Sequence, residues 1–185
     1  MEATWRLAEE HGPLGLTMTQ VAKVAGIGRA TLYKYFTDVE SILIAHHAQY
    51  VESHLRELDA VRGASGPVGP RLAAVVSAYA SICFHRGRHS ATDISALVHR
   101  GPELADAQHR LRRVFAELID EAAADGLVRT DVSSEELAEY CLHALSAAGQ
   151  AADLDQLGRL VRVVLDGLGC SLAVPEGGQL AAPNQ

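Results

Sequence analysis

Residues Thr17 to Glu40 read TMTQVAKVAGIGRATLYKYFTDVE. Thr17 and Gln20 form the T-x-x-Q pattern of a capping box, in which a hydroxyl and an amide side chain satisfy the free N–H groups at a helix start. A helix is therefore expected from Met18. It is short, because Gly26 can adopt the left-handed conformation that ends a helix. Ile27 is expected to plug into the core, and Gly28 to act as a permissive N-cap for the next helix. Two short helices joined by a tight, glycine-containing turn make a helix-turn-helix.

In the second of these helices Leu32 and Phe36 lie four apart and are expected to pack on Val21, Ala22 and Ala25. The opposite positions then face out, Arg29 with Tyr33 and Ala30 with Lys34, each pair at i,i+4. Such a helix can enter a major groove. Arg29 can read guanine edges, Ala30 or Thr31 can touch a thymine methyl, and Lys34 with the hydroxyls of Tyr33 and Tyr35 can reach phosphates. Thr17 and Thr19, at the start of the first helix, complete the candidate DNA-contacting set. A helix that is merely solvated would carry the cations without needing exposed tyrosines beside them.

Outward from this stretch the apolar residues recur at three and four, and strand-type alternation is hard to find, so the chain reads as all-α. Upstream, Ala3 to Gly12 (ATWRLAEEHG) looks like the second half of a further helix, its opening turns expected before Met1. Downstream, Ile42, Leu43, His46, Tyr50 and Leu58 predict a long connecting helix over Val39 to Val61. The stretch Gly63 to Pro70 (GASGPVGP) is the most loop-like, and a domain boundary is expected near it. Another helix carries Leu72, Val75, Val76, Tyr79 and Cys83. From Pro102 a long amphipathic helix presents Leu104, Leu111, Val114, Phe115, Leu118 and Ile119 on one side and stops at Gly126. Ser133-Ser134-Glu135-Glu136 is a second capping box, opening a helix with Leu137, Tyr140, Cys141, Ala144, Leu145 and Ala148 inward. After a break near Gly149 to Ala152, the last helix bears Leu154, Leu157, Leu160, Val161, Val164, Leu165 and Leu168. That apolar face is too wide for a helix lying on a surface, so part of it is expected to meet a partner. Ala173 to Gln185 is expected to be disordered.

Composition bounds the rest. Apolar residues make up 48% and charged residues 21% of 185 residues, as in a globular protein. No run approaches the roughly 20 apolar residues of a membrane span, and Met1 to Glu10 is too polar for a secretory signal, so a cytoplasmic location is expected. Cys83, Cys141 and Cys170 are far apart and flanked by apolar residues, which suits reduced core thiols. The net charge of -7 excludes a coat of positive charge for nucleic acid but leaves room for a local reading head. No G-x-S-x-G, H-E-x-x-H or phosphate-cradling glycine loop is present, so neither an enzyme nor a cofactor is expected. His85 and His89, with Asp93 a turn further, have metal-ligand spacing. Gly87 and Arg88 favour a helix end there instead, and no metal is expected.

Val21-Ala22, Ala25-Gly26-Ile27 and, above all, Thr31-Leu32-Tyr33-Lys34-Tyr35-Phe36 resemble the DNA-binding domain of the TetR family of bacterial repressors, over roughly Ala3 to Leu43. The resemblance implies a three-helix head with Arg29 to Tyr35 as recognition helix, a fourth helix leading to a ligand domain, and a homodimer built from the last two long helices. It also implies double-stranded operator DNA as partner and repression relieved by a small molecule. The expected domains are residues 1–45 for DNA, 46–170 for ligand and dimer, and 171–185 as tail. The chain departs from the family pattern at Val39, where a lysine is usual.

A sensing pocket is concave and mostly apolar with a few polar groups. Tyr79, Cys83, Phe84, His99, Phe115, Tyr140 and His143 are the candidates, since they place aromatic or polar tips on apolar helices; for any one of them taken alone, ordinary core packing is the favoured account. An apolar or aromatic effector fits this set. The competing reading is a dimeric ligand-binding or protein-interaction module with little DNA affinity. From Met1 to Tyr50 the cations Arg6, Lys23, Arg29 and Lys34 face Glu2, Glu9, Glu10, Asp38 and Glu40, which favours it, whereas the intact Thr31 to Phe36 helix opposes it.

Overall fold

The computed structural model describes residues 16–89 and 102–169. The regular structure among these is helical: α1 (Met18–Ala25), α2 (Arg29–Tyr35), α3 (Val39–Arg62), α4 (Val68–His89), α5 (Pro102–Ala124), α6 (Ser134–Ser146), a 3-10 turn (Ala147–Gln150) and α7 (Leu154–Gly167). The helix expected over Ala3 to Gly12, the tail, and the residues Asp93, His99 and Cys170 lie outside the described residues. None of the described helices is long and apolar enough to cross a membrane. The chain forms two compact units, the first taking in the residues up to Ser53 and the first turns of α5 up to Ala107, the second running from His54 to Arg88 and from Gln108 on.

The first unit is organised by a small core. Met18, Val21 and Ala22 recur on one side of α1 and meet Leu32 of α2 and Ile42 of α3, with Leu16, Phe36 and Val39 at the edge. The Thr17 capping box forms, the Gln20 N–H donating to the threonine hydroxyl at 3.3 Å and the Thr17 N–H to Gln20 Oε1 at 2.8 Å. Gly26 ends α1 at φ 66°, a conformation that disfavours any side chain. The Ile27 N–H then reaches back to the Ala22 carbonyl at 3.1 Å. The Ile27 side chain, expected in the core, is 42% exposed, and Ala25 is exposed as well. The turn closes through main-chain hydrogen bonds, so it does not need a buried plug.

A cap unnoticed in the sequence starts α3. The Ser41 N–H donates to Asp38 Oδ1 at 2.7 Å, the Ser41 hydroxyl to the Asp38 carbonyl at 2.8 Å, and the Thr37 hydroxyl to Asp38 Oδ2 at 3.1 Å. The Ser41 N–H first, and then the hydroxyls, hold the Asp38 carboxyl below its ordinary range.

The second unit has the larger core. Leu58 of α3, Leu72, Val75 and Val76 of α4, Phe115, Leu118 and Ile119 of α5, Leu145 of α6, and Val161, Val164 and Leu165 of α7 are buried together. Burial on this scale is the main favourable term, at about 25 cal/mol per Å² of apolar surface. Pro102 begins α5, and Gly126 ends it at φ 69° with the Leu127 N–H on the Ala122 carbonyl at 2.8 Å. The second capping box forms at Ser133, whose hydroxyl accepts from the Glu136 N–H at 3.3 Å.

The Gly63 to Pro70 stretch links two helices of this unit. Arg71 clamps it, donating to the Gly66 carbonyl at 3.2 Å and the Arg62 carbonyl at 2.8 Å while pairing with Glu121 of α5. α4 runs two residues past Gly87, where a helix end was expected, because the glycine serves packing. A Cβ there would fall 2.1 Å from the carbonyl oxygen of Gly149 in the 3-10 turn, so the two backbones meet without a side chain between them.

Candidate nucleic-acid interface

α2 is seven residues long and held from beneath by one buried side chain, Leu32. Gly28 caps it in an extended conformation, its carbonyl accepting from the Leu32 N–H at 3.1 Å. Phe36 leaves the helix at its C-terminal end, its N–H on the Leu32 carbonyl at 3.0 Å, and packs at the rim of the head core. With Leu32 fixed below, Arg29, Ala30, Thr31, Tyr33, Lys34 and Tyr35 are all exposed. Tyr33 is 48% and Tyr35 69% exposed, large values for aromatic side chains. The Arg29 guanidinium lies 5.9 Å from the Tyr33 ring centre and Lys34 Nζ 5.7 Å from that of Tyr35. Each cation thus rests on a ring, which limits its rotamers and leaves its charge facing solvent.

The two threonines differ. Thr19 is exposed at the second position of α1. The Thr17 hydroxyl is engaged at both ends, accepting from the Gln20 N–H and donating to Gln20 Oε1 at 2.7 Å. It can donate to a phosphate only by giving up its bond to Gln20 Oε1, while still accepting from the Gln20 N–H. Val39 is half-buried against the head core.

Of the effector candidates, the structure brings part of the set together. The Tyr79 ring meets Phe115 edge-on at 5.7 Å, joining α4 to α5. Tyr79 and Cys83 share a hydrogen bond, and Arg86 donates to Cys83 Sγ at 3.9 Å. Burial pushes both the Tyr79 hydroxyl and the Cys83 thiol upward in pKa, so both stay neutral donors at physiological pH. Burial likewise pushes the Cys141 thiol up to about 12. Phe84 turns elsewhere, edge-on to His85 at 5.5 Å and beneath the Arg88 guanidinium at 5.1 Å.

Tyr140 and His143 do not join that interior group. Both are exposed on α6, His143 Nδ1 lying 2.8 Å from the Glu139 carbonyl oxygen. Tyr140 lies across Gly167 of α7, where a Cβ would fall 2.4 Å from the phenol oxygen. Two polar groups were missed. Arg86 stands three residues after Cys83, a spacing that shares a helix face. The Ser81 hydroxyl is buried without a hydrogen-bond partner, which no sequence pattern signals. Among the described residues no group of three His, Cys, Asp or Glu side chains could hold a metal ion.

Comparison with known proteins covers both ends of this arrangement. The family profile described as bacterial regulatory proteins, tetR family, matches residues 1–45, and that of the SbtR-like transcriptional regulator C-terminal domain matches residues 77–170. No curated protein matches by sequence. Among solved structures the fold is similar to a TetR/AcrR-family transcriptional regulator from Thermobifida fusca, at 18% identity and a TM-score of 0.75, covering 90% of this chain and 94% of that one. It is also similar to FadR from Bacillus subtilis in complex with stearoyl-CoA, at 16% identity and a TM-score of 0.64, covering 94% and 96%. A third is AibR in complex with isovaleryl coenzyme A and operator DNA, at 20% identity and a TM-score of 0.60, covering 90% and 94%. With one profile closing over the reading head and the other over most of the helical body, the chain belongs to the TetR family of bacterial transcriptional regulators.

Proposed function

We propose that the chain is a ligand-responsive regulator that acts in the cytoplasm by binding operator DNA through α2, without catalysis. Residues 1–45 act as the reading head and residues 46–170 as the effector-binding and dimer-forming body. The observation that carries this reading is the outward face of α2, where two cations rest on two exposed tyrosines above a single buried leucine. Arg29 addresses base edges, Ala30 and Thr31 supply apolar contacts, and Lys34, Tyr33, Tyr35 and Thr19 hold phosphates. Two heads in a homodimer joined through α6 and α7 address half-sites of a near-palindrome.

The effector reaches the interior group of Tyr79, Cys83 and Phe115, where Arg86 adds a polar function. An apolar or aromatic body suits such a lining. The acyl groups carried by coenzyme A in the FadR and AibR complexes are of that kind and belong in the first ligand screen. Ligand binding favours a dimer whose heads no longer fit the operator, and repression lifts.

Tyr33→Ala and Lys34→Ala test the reading head. Each is expected to weaken operator binding at least about tenfold with unchanged circular dichroism, as loss of positioned phosphate contacts on both heads requires. Unchanged affinity in both variants would remove α2 as the reading face.

A further inference from the structure

The outer side of α7 carries a line of residues that the protomer leaves partly uncovered. Gln156, Leu160, Val163 and Gly167 follow one another at spacings of four, three and four, which places them on one face of the helix. Val163 is 61% exposed and Leu160 half-buried. At the end of this line Gly167 admits the Tyr140 side chain from α6. Immediately before Leu160 and Gly167 stand Arg159 and Asp166, seven apart and both exposed. Neither is in an ion pair among the described residues, although Arg62, Arg71, Arg112, Arg113 and Arg129 all are.

Spacings of four and three are those of a helix-pairing seam, and residues just before alternate seam positions flank it. A two-fold axis crossing α7 between Val161 and Arg162 sets Leu160 opposite the partner subunit's Val163, and Gln156 opposite the partner subunit's Gly167. The same axis brings Arg159 within reach of the partner subunit's Asp166. In a parallel pairing the position facing Arg159 is the partner subunit's Val164, which carries no charge. The charges are thus complementary to a second copy of this chain in the antiparallel arrangement.

We propose that Arg159 and Asp166 fix the register of the homodimer, each Arg159 pairing with the partner subunit's Asp166 as α7 crosses its copy antiparallel. This rests on the homodimer reading above and adds to it the residues that select the partner. The symmetric interface contains the pair twice, so reversing either charge creates two repulsive contacts.

The test is sedimentation equilibrium on the full chain, the Arg159→Asp and Asp166→Arg variants, and their equimolar mixture at low salt. Each variant alone is expected to dimerise at least about tenfold more weakly than the unaltered chain, since like charges face each other across a rim. The mixture is expected to recover the original affinity, because every charge at position 159 then meets an opposite charge at position 166. Recovery also shows that both variants fold. A dimeric parent with variants of equal affinity would overturn the register and leave the homodimer standing. A parent monomeric at every concentration would overturn both.

Discussion

Ser81 is a polar group buried on a core helix without a partner, an arrangement that costs about 1–3 kcal/mol. Ser81→Ala is therefore expected to raise the thermal midpoint of the protein by a few degrees. A lower midpoint in calorimetry would show the hydroxyl to be satisfied. His54 works in the opposite sense. Burial is the main reason its imidazole is held below its ordinary value, and nearby His85 adds to this while Glu57 opposes it. The fold thus prefers the neutral ring, and the unfolded chain binds the proton first as pH drops. Stability is full above the ordinary histidine value of 6.5, and declines from there until the folded ring also protonates. Urea midpoints at pH 7.5 and 5.5 should differ less in His54→Gln than in the parent; an unchanged difference would assign the pH dependence elsewhere.

Helix starts were well marked in the sequence. Both capping boxes are local patterns, and the bonds they imply are present at Thr17 and Ser133. The glycine ends at Gly26 and Gly126 were legible too; what each helix packs against was not, because periodicity gives a face without saying what covers it. Ile27 was expected inside and is exposed, while Tyr140 and His143 were grouped with Tyr79 although α6 presents them outward. Gly87 looked like a helix stop, yet its missing side chain allows α4 to touch the turn at Gly149, a contact 62 residues away in sequence. Gly87→Ala should accordingly destabilise the second unit by about 3 kcal/mol or more, since the colliding atoms are backbone and cannot swing aside. Gly158→Ala, where a Cβ meets nothing within 4 Å, should stabilise α7 by up to about 1 kcal/mol. Equal denaturant midpoints for the two variants would show that the close approach does not constrain the fold.

At the scale of the whole molecule, an acidic protein of net charge -7 must hold DNA through a small cationic face. Among the described residues the head up to Ser53 presents Lys23, Arg29 and Lys34, with Asp38 and Glu40 at the start of α3. Val39 sits between those two acids. Val39→Lys should raise operator affinity several-fold at low salt and steepen the salt dependence by up to about two counterions per dimer, read by binding titrations across a salt series. The most direct measurement is fluorescence anisotropy of the purified protein on duplexes tiling the DNA upstream of its own coding sequence, with nonspecific competitor. The regulator reading predicts saturable, competitor-resistant binding at one near-palindrome. Binding that is uniformly weak, abolished by competitor and indifferent to sequence would contradict it and favour a dimeric interaction module.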